Sequence, residues 1–394
     1  MTLRSLLAIV GFAGLAGCAT APPGAMPSRD GLFQDSAFKP PTVRIVPGDA
    51  IAMSPEMQRF ADGQARSEIH QKGLRDGLIS ALYSKGQLQL EYDSARTRNA
   101  AEAFDAKRGN CMSLVLMTAA FARYYSLPMT FNSVYIEEMW TRSGGLYFVA
   151  GHVNVTLARI ATPTNSFVWG SDNLLTIDFL PPGIMRGQRS RPVEEATIIA
   201  MYLNNRAAEA LTEGDIDNAY WWARAAIETD PRWLAAYNTL AVLYRRKGLG
   251  DHAESTLRMV LEREPLNVQS LSNLALVLND AGRHAEAQVF TERLAQIQPI
   301  PPYQFFDQGL AALRAGDFAA ARELFRKEIA RDAYVSEFHF WLGVASYRMG
   351  DVSAAKGEIT RALQNSATVK DKALYGAKLA WLNEQRRQSV LERR

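Results

Sequence analysis

Residues 241–253 read Ala-Val-Leu-Tyr-Arg-Arg-Lys-Gly-Leu-Gly-Asp-His-Ala, with a small residue at Ala241, a glycine at Gly248 and an alanine at Ala253. The same three points recur every 34 residues. The glycines are Gly214, Gly248, Gly282, Gly316 and Gly350, and five positions after them come Ala219, Ala253, Ala287, Ala321 and Ala355. Seven positions before them stand Ala207, Ala241, Ala275, Gly309 and Gly343. Pro231, Pro265 and Pro299 close the first three units; Ala333 and Ala367 stand there in the last two, and His339 sits where a bulky apolar residue is usual. Small residues at fixed points let two helices approach closely, and the glycine supplies the turn between them. The period therefore predicts five helix pairs stacked into an all-α solenoid over residues 200–367. Residues 368–394, with Ala373, Leu374, Ala377 and Leu379, predict a polar-faced capping helix and a tail.

The period and its pattern resemble the tetratricopeptide repeat. That resemblance implies a concave face, lined by the first helix of each unit, which binds extended peptides or helices of a protein partner or substrate. Counted from the repeat pattern, Asn204, Asn238, Arg245, Tyr303, Phe306, Phe340 and Tyr347 are the candidates for that groove, with ordinary packing or surface exposure the alternative at each. Trp221 and Trp222 fall on a second helix and are expected in the core between repeats.

Composition narrows the rest. With 47% hydrophobic and 22% charged residues in 394, the chain has ample material for a core and is unlike a disordered one. Lys and Arg number 44 against 41 Asp and Glu, and no long basic stripe appears, which argues against nucleic acid as the main partner. The first 17 residues combine a basic start at Arg4 with a short apolar run from Leu6 to Ala16. A span needs about 20 apolar residues, so residues 1–17 are expected to be a signal peptide. Leu15-Ala16-Gly17-Cys18 resembles the lipobox of bacterial lipoproteins. The resemblance implies lipid on Cys18, with membrane attachment through that anchor only. Ala19 after the cysteine implies the outer membrane, facing the periplasm. Residues 18–50, rich in proline from Pro22 to Pro47, are expected to be a tether. Cys111 is then the one remaining thiol of two, in an oxidising compartment.

Residues 51–190 have a different texture. Helices are expected over 54–85 and 97–107, then a nearly all-apolar helix opening at Cys111 and ending before Leu127-Pro128. Strands are expected over 129–136, 147–157, 167–169 and 174–179, an α+β order. Cys111 falls on the first turn of its helix, where free backbone N–H groups and the positive dipole end favour a thiolate and offer donors to an oxyanion. A nucleophilic thiolate needs a base, and the base an orienter. The domain holds two histidines, His70 and His152. His152 alternates with Asn154 and Thr156 on one face of a strand, and Asp178 shares a face with Thr176 on another, so the two strands offer an imidazole and a carboxylate. Asp172, in a Ser-Asp-Asn turn setting, is the rival carboxylate. Tyr92 and Asn110 are candidate oxyanion donors, with packing and helix capping as the alternatives. Glu137, Glu138, Arg142 and residues 186–191 read as a solvated rim, the last stretch also as the linker to the repeats.

These motifs resemble the transglutaminase-like superfamily of papain-related cysteine enzymes. The resemblance runs over about Leu90 to Leu180: Gly109-Asn110-Cys111 opening an apolar helix, Gly151-His152-Val153-Asn154-Val155 on a strand, and Leu175-Thr176-Ile177-Asp178-Phe179. It implies Cys111 as nucleophile, His152 as general base and acid, and Asp178 as orienter. Two positions depart from the family pattern: Asn154 where many members have tryptophan, and Phe179 where many have proline. No calcium-loop pattern is present, and no metal or cofactor is implied. The expectation is a lipid-anchored enzyme acting on amide bonds of a peptide or protein, with hydrolysis favoured over transamidation. The alternative is a non-catalytic scaffold whose repeats assemble a complex.

Overall fold

The computed structural model describes residues 31–84, 90–93, 96–135, 140–143, 146–149, 151–159, 173–179, 189–366 and 368–391. Cys18 and the N-terminal leader lie outside them, as do Asp172, Glu137, Glu138 and residues 160–172 and 180–188.

The middle region begins with α1 (Pro55–Phe60), capped by Ser54, whose hydroxyl accepts from the Met57 N–H. One π-turn (Ala61–Ala65) continues it into α2 (Arg66–Lys72), and Gly73, at φ 83°, breaks the path before α3 (Leu74–Tyr83). The expected single helix over 54–85 is thus bent in two. A capping box between Asn99 and Glu102 starts α4 (Ala100–Ala106). The central helix α5 (Cys111–Tyr124) is buried from Met112 to Ala122 and forms the middle of the core.

Strands follow it. A four-stranded antiparallel sheet has the order β7 (Leu174–Ile177), β6 (His152–Ala158), β3 (Met129–Tyr135), β8 (Arg189–Val193). Two small additions are the parallel pair β1 (Glu91–Tyr92) with β2 (Arg108–Gly109) and the hairpin β4 (Trp140–Ser143) with β5 (Leu146–Val149). Val153, Val155 and Leu157 are fully buried in the same core as α5, and His152, Asn154 and Thr156 alternate with them on the other face of β6. β8 corrects the sequence reading: residues 189–191 form an edge strand paired to β3 rather than a loop rim. Pro192 fits there because an edge strand has no need of that N–H on its outer side.

The C-terminal half is the expected stack of helix pairs, from Glu195–Thr212 with Ile216–Thr229 to Ser336–Arg348 with Val352–Gln364. The five periodic glycines all sit at positive φ, between 74° and 84°, which is why each turn uses glycine. At Gly309 a Cβ would come within 2.6 Å of the Phe325 ring, so an alanine here, which the earlier units carry, would require that ring to shift. His339 is buried in place of an apolar residue because both ring nitrogens are bonded, to Glu358 at 2.7 Å and to the Ala333 carbonyl at 2.9 Å. A last helix, Val369–Leu391, buries Tyr375 and Leu382 against the stack.

The segment expected as a free tether is seated from residue 31 onward. Leu32 and Phe38 are buried, and Phe38 stacks on Tyr220 with ring centroids 3.9 Å apart. Trp221 Nε1 donates to the Lys39 carbonyl at 2.6 Å, and Asn218 exchanges two hydrogen bonds with Thr42, at 2.9 and 2.7 Å. Next, the turn Pro47–Ile51 packs between α5, α4 and Glu195–Thr212. One continuous core therefore joins the middle region to the first repeats.

Candidate active site

Cys111 is placed by the residue before it. Asn110 sits in extended geometry at the N-cap of α5, its Oδ1 accepting from the Ser113 N–H at 2.9 Å and from Ser113 Oγ at 2.8 Å. Gly109 is fixed by crowding, since a Cβ there would lie 2.5 Å from Ser113 Cβ. With its oxygen used for the cap, the Asn110 amide donates to Thr97 Oγ1 at 2.8 Å. Capping is thus the observed role of the Asn110 oxygen, and its amide is turned toward Thr97. Cys111, half-buried, opens the helix at the positive end of its dipole, where the first-turn N–H groups have no partner within the helix.

His152 opens β6 and is 2% exposed. Its Nε2 lies 2.8 Å from Asp178 Oδ1, and Cys111 is the other group whose sulfur acts on the ring. Burial, the largest single influence, works against the charged imidazole. The hydrogen bonds to Asp178 and Cys111 and the nearby negative charge outweigh it and hold the His152 pKa up, at about 9. A protonated imidazole then stands beside the sulfur at neutral pH. The structure thus brings Cys111, His152 and Asp178 together from a helix start and two strand ends; Asp172 lies outside the described residues, as does the side chain of Tyr92.

A residue missed as functional completes the arrangement. Asn154, one of the two departures from the family pattern, is 3% exposed and donates from Nδ2 to Asp178 Oδ2 at 2.9 Å. Its Oδ1 accepts from Asn132 Nδ2 at 2.9 Å, and Asn132 also reaches Thr156 Oγ1 at 3.0 Å. Thr156 bonds Thr176 at 2.8 Å across the next strand pair. Register makes this ladder: Asn132 stands opposite Asn154, and Thr156 opposite Thr176. Both oxygens of Asp178 are therefore held. The available signal was the polar alternation His152-Asn154-Thr156 itself.

The seven groove candidates separate into different settings. Phe306 is fully buried and Tyr303 is 5% exposed, both packed edge-on in one aromatic cluster with Phe338, so both are core residues and not groove contacts. Asn238 is also buried, accepting from Ser270 Oγ of the next repeat at 2.7 Å. Phe340 stacks on Tyr375 of the last helix at 5.0 Å. Arg245 pairs with Asp280 at 2.6 Å across two repeats. Tyr347 is exposed beside Trp381, and Asn204 is half-buried with an Oδ1 that has no hydrogen-bond partner among the described residues. Trp222 is buried as expected, and Trp221 is taken up by the N-terminal segment.

Comparison with known proteins bears on the repeats. The family described as tetratricopeptide repeat matches residues 238–296 and 306–369, and the chain carries such repeats there. Among solved structures, TTC0263 of Thermus thermophilus, a thermophilic repeat protein, is 16% identical, with a TM-score of 0.29, covering 46% of this chain and 99% of its own. The structure of pilF from Pseudomonas aeruginosa is 22% identical, TM-score 0.28, covering 48% of this chain and 87% of its own. YrrB, described as a repeat protein with an unusual peptide-binding site, is 18% identical, TM-score 0.25, over 46% of this chain and 92% of its own. No curated protein matches the chain. Among the described residues no helix is long and apolar enough to cross a membrane, and no three His, Cys, Asp or Glu side chains are grouped to hold a metal ion.

Proposed function

We propose that the chain is a transglutaminase-like cysteine enzyme that acts on amide bonds of a peptide or protein, anchored through lipid on Cys18 to the outer membrane and facing the periplasm. The observation that carries this reading is the buried His152, held by Asp178 at 2.8 Å, with Cys111 at the start of α5 near enough to raise its pKa. In this reading the Cys111 thiolate attacks the amide carbon, and the first-turn N–H groups of α5 receive the oxyanion. His152 gives its proton to the leaving amine, and an acyl-enzyme remains on Sγ. Water then gives its proton to His152 and resolves the thioester, returning the thiolate and releasing the acid. Hydrolysis is the favoured outcome, with water as the acceptor of the acyl group. The repeats dock the substrate or a protein partner, the general role of such arrays.

A second reading is supported by the family match, which falls wholly within the repeats. In it the repeats assemble a protein complex and the middle region is an idle base. Incubating the chain with mixed peptides and following both products and intact mass separates the two. The enzyme reading expects new cleavage products and a transient adduct on Cys111, both lost in Cys111→Ala. Partner capture by the repeats that Cys111→Ala leaves intact, without products or adduct from the parent chain, supports the scaffold.

A further inference from the structure

The hydrogen bonds that fix Asn110 do not end in the middle region. Thr97, 1% exposed, receives the Asn110 amide on its hydroxyl, and its own peptide group is gripped from the first repeat. Glu209 Oε1 accepts the Thr97 N–H at 2.6 Å, and Arg206 Nη1 donates to the Thr97 carbonyl at 2.9 Å. The two side chains lie one turn apart on Glu195–Thr212, 3.7 Å from each other, and the Arg206 guanidinium rests 5.5 Å from the centre of the Trp222 ring. The Thr97–Arg98 peptide is held at its other end as well, since the Arg98 N–H donates to Ser113 Oγ at 2.7 Å. At the far end of α5, Arg123 pairs with Glu195, the first residue of the same repeat helix. Fourteen residues separate Glu195 from Glu209 and thirteen separate Asn110 from Arg123, about 20 Å of helix in each case, so the repeat helix is tied to α5 at both ends.

We infer that Glu209 and Arg206 of the first repeat are positioning residues for Cys111, acting through Thr97 and Asn110, so that the repeat array and the nucleophile are coupled. The inference rests on the enzyme reading and deepens it: the docking array is part of what holds the reactive thiol in register. The Asn110 oxygen is committed to the cap, and its amide nitrogen donates to Thr97 Oγ1. Thr97 has little freedom of its own once its N–H and its carbonyl are both bonded. Burial raises the Glu209 carboxyl pKa.

The test is the rate of Cys111 alkylation by iodoacetamide against pH, in the chain from residue 18 with Cys18→Ser so that Cys111 is the only thiol. Glu209→Ala removes the acceptor and is expected to slow the reaction at pH 7 on the order of ten- to a hundredfold. Glu209→Gln keeps a carbonyl oxygen for the Thr97 N–H and is expected to stay within a few-fold of the parent. Ser54→Ala, which uncaps α1 away from the site, serves as the destabilised control and is expected to lower the melting temperature without moving the profile. An activated thiol in the parent with an unchanged rate in Glu209→Ala overturns the coupling alone. Equal slowing in Ser54→Ala and Glu209→Ala also overturns it, by making the effect one of stability. A parent thiol that is unactivated, and indifferent to His152→Ala, overturns the enzyme reading beneath it.

Discussion

Replacing Asn154 by leucine is the most informative single change to the sheet. Leucine has nearly the same shape, so the buried site is neither emptied nor overfilled, and what is lost is polar. Asp178 Oδ2 loses the donor at 2.9 Å, a hydrogen bond to a charged acceptor, which contributes about 1.5–3 kcal/mol. Asn132 loses one acceptor but keeps Thr156 Oγ1 at 3.0 Å, so its share is the smaller one. Taken at about 2 kcal/mol in all, the change lowers the melting temperature by roughly 4–8 °C, measurable by scanning calorimetry. Function responds separately. With this donor gone the carboxylate holds the imidazole less firmly, and burial then pulls the His152 pKa down from about 9. A proton NMR titration of the histidines reads that shift directly. A lower melting temperature with an unmoved His152 titration refutes a positioning role for the ladder, and an unmoved melting temperature refutes the energetic reasoning.

Phe38→Ala deletes the ring stacked on Tyr220 and costs about 3 kcal/mol of local stability. Hydrogen exchange of the Thr42 amide, bonded to Asn218, is expected to speed up roughly a hundredfold; unchanged exchange would show the segment held elsewhere. Gly309→Ala pushes a Cβ against Phe325 at 2.6 Å and is expected to cost about 1–3 kcal/mol in chemical denaturation, whereas no loss would mean that the ring steps aside freely. Cys18→Ser, which abolishes the lipid site in the proposed anchor, is expected to move the protein from the membrane to the soluble fraction on cell fractionation.

The repeats were legible because one backbone constraint is repeated: a turn at positive φ that glycine alone adopts at no cost, flanked by points where helices touch. The start of α5 was legible for a similar local reason, an asparagine cap before an apolar run. What escaped was set by contacts between distant residues. Residues 189–191 look like a charged loop, and only their pairing with β3 makes them a strand. Prolines dominated the reading of the N-terminal segment, while Leu32 and Phe38, which seat it, have partners near residues 220 and 244. Phe306 and Tyr303 were placed in the groove because a period locates a residue on a helix, whereas the neighbouring repeat decides which side is covered. Glu209 carries no local signal at all; its partner Thr97 is more than a hundred residues away.

The central claim is an activated Cys111–His152 pair, and the pH dependence of Cys111 alkylation in the parent chain and in His152→Ala tests it most directly. An ordinary thiol, titrating near 8.5, is on the order of 0.3% thiolate at pH 6. Because the His152 pKa is raised, its charged form is present below about pH 9 and is lost above it. The parent is therefore expected to react at pH 6 roughly thirty- to a hundredfold faster than His152→Ala, after allowance for the weaker nucleophilicity of a stabilised thiolate. That advantage should shrink as the pH passes 9. Superimposable curves for the two proteins, both rising as a free thiol does, would contradict the claim.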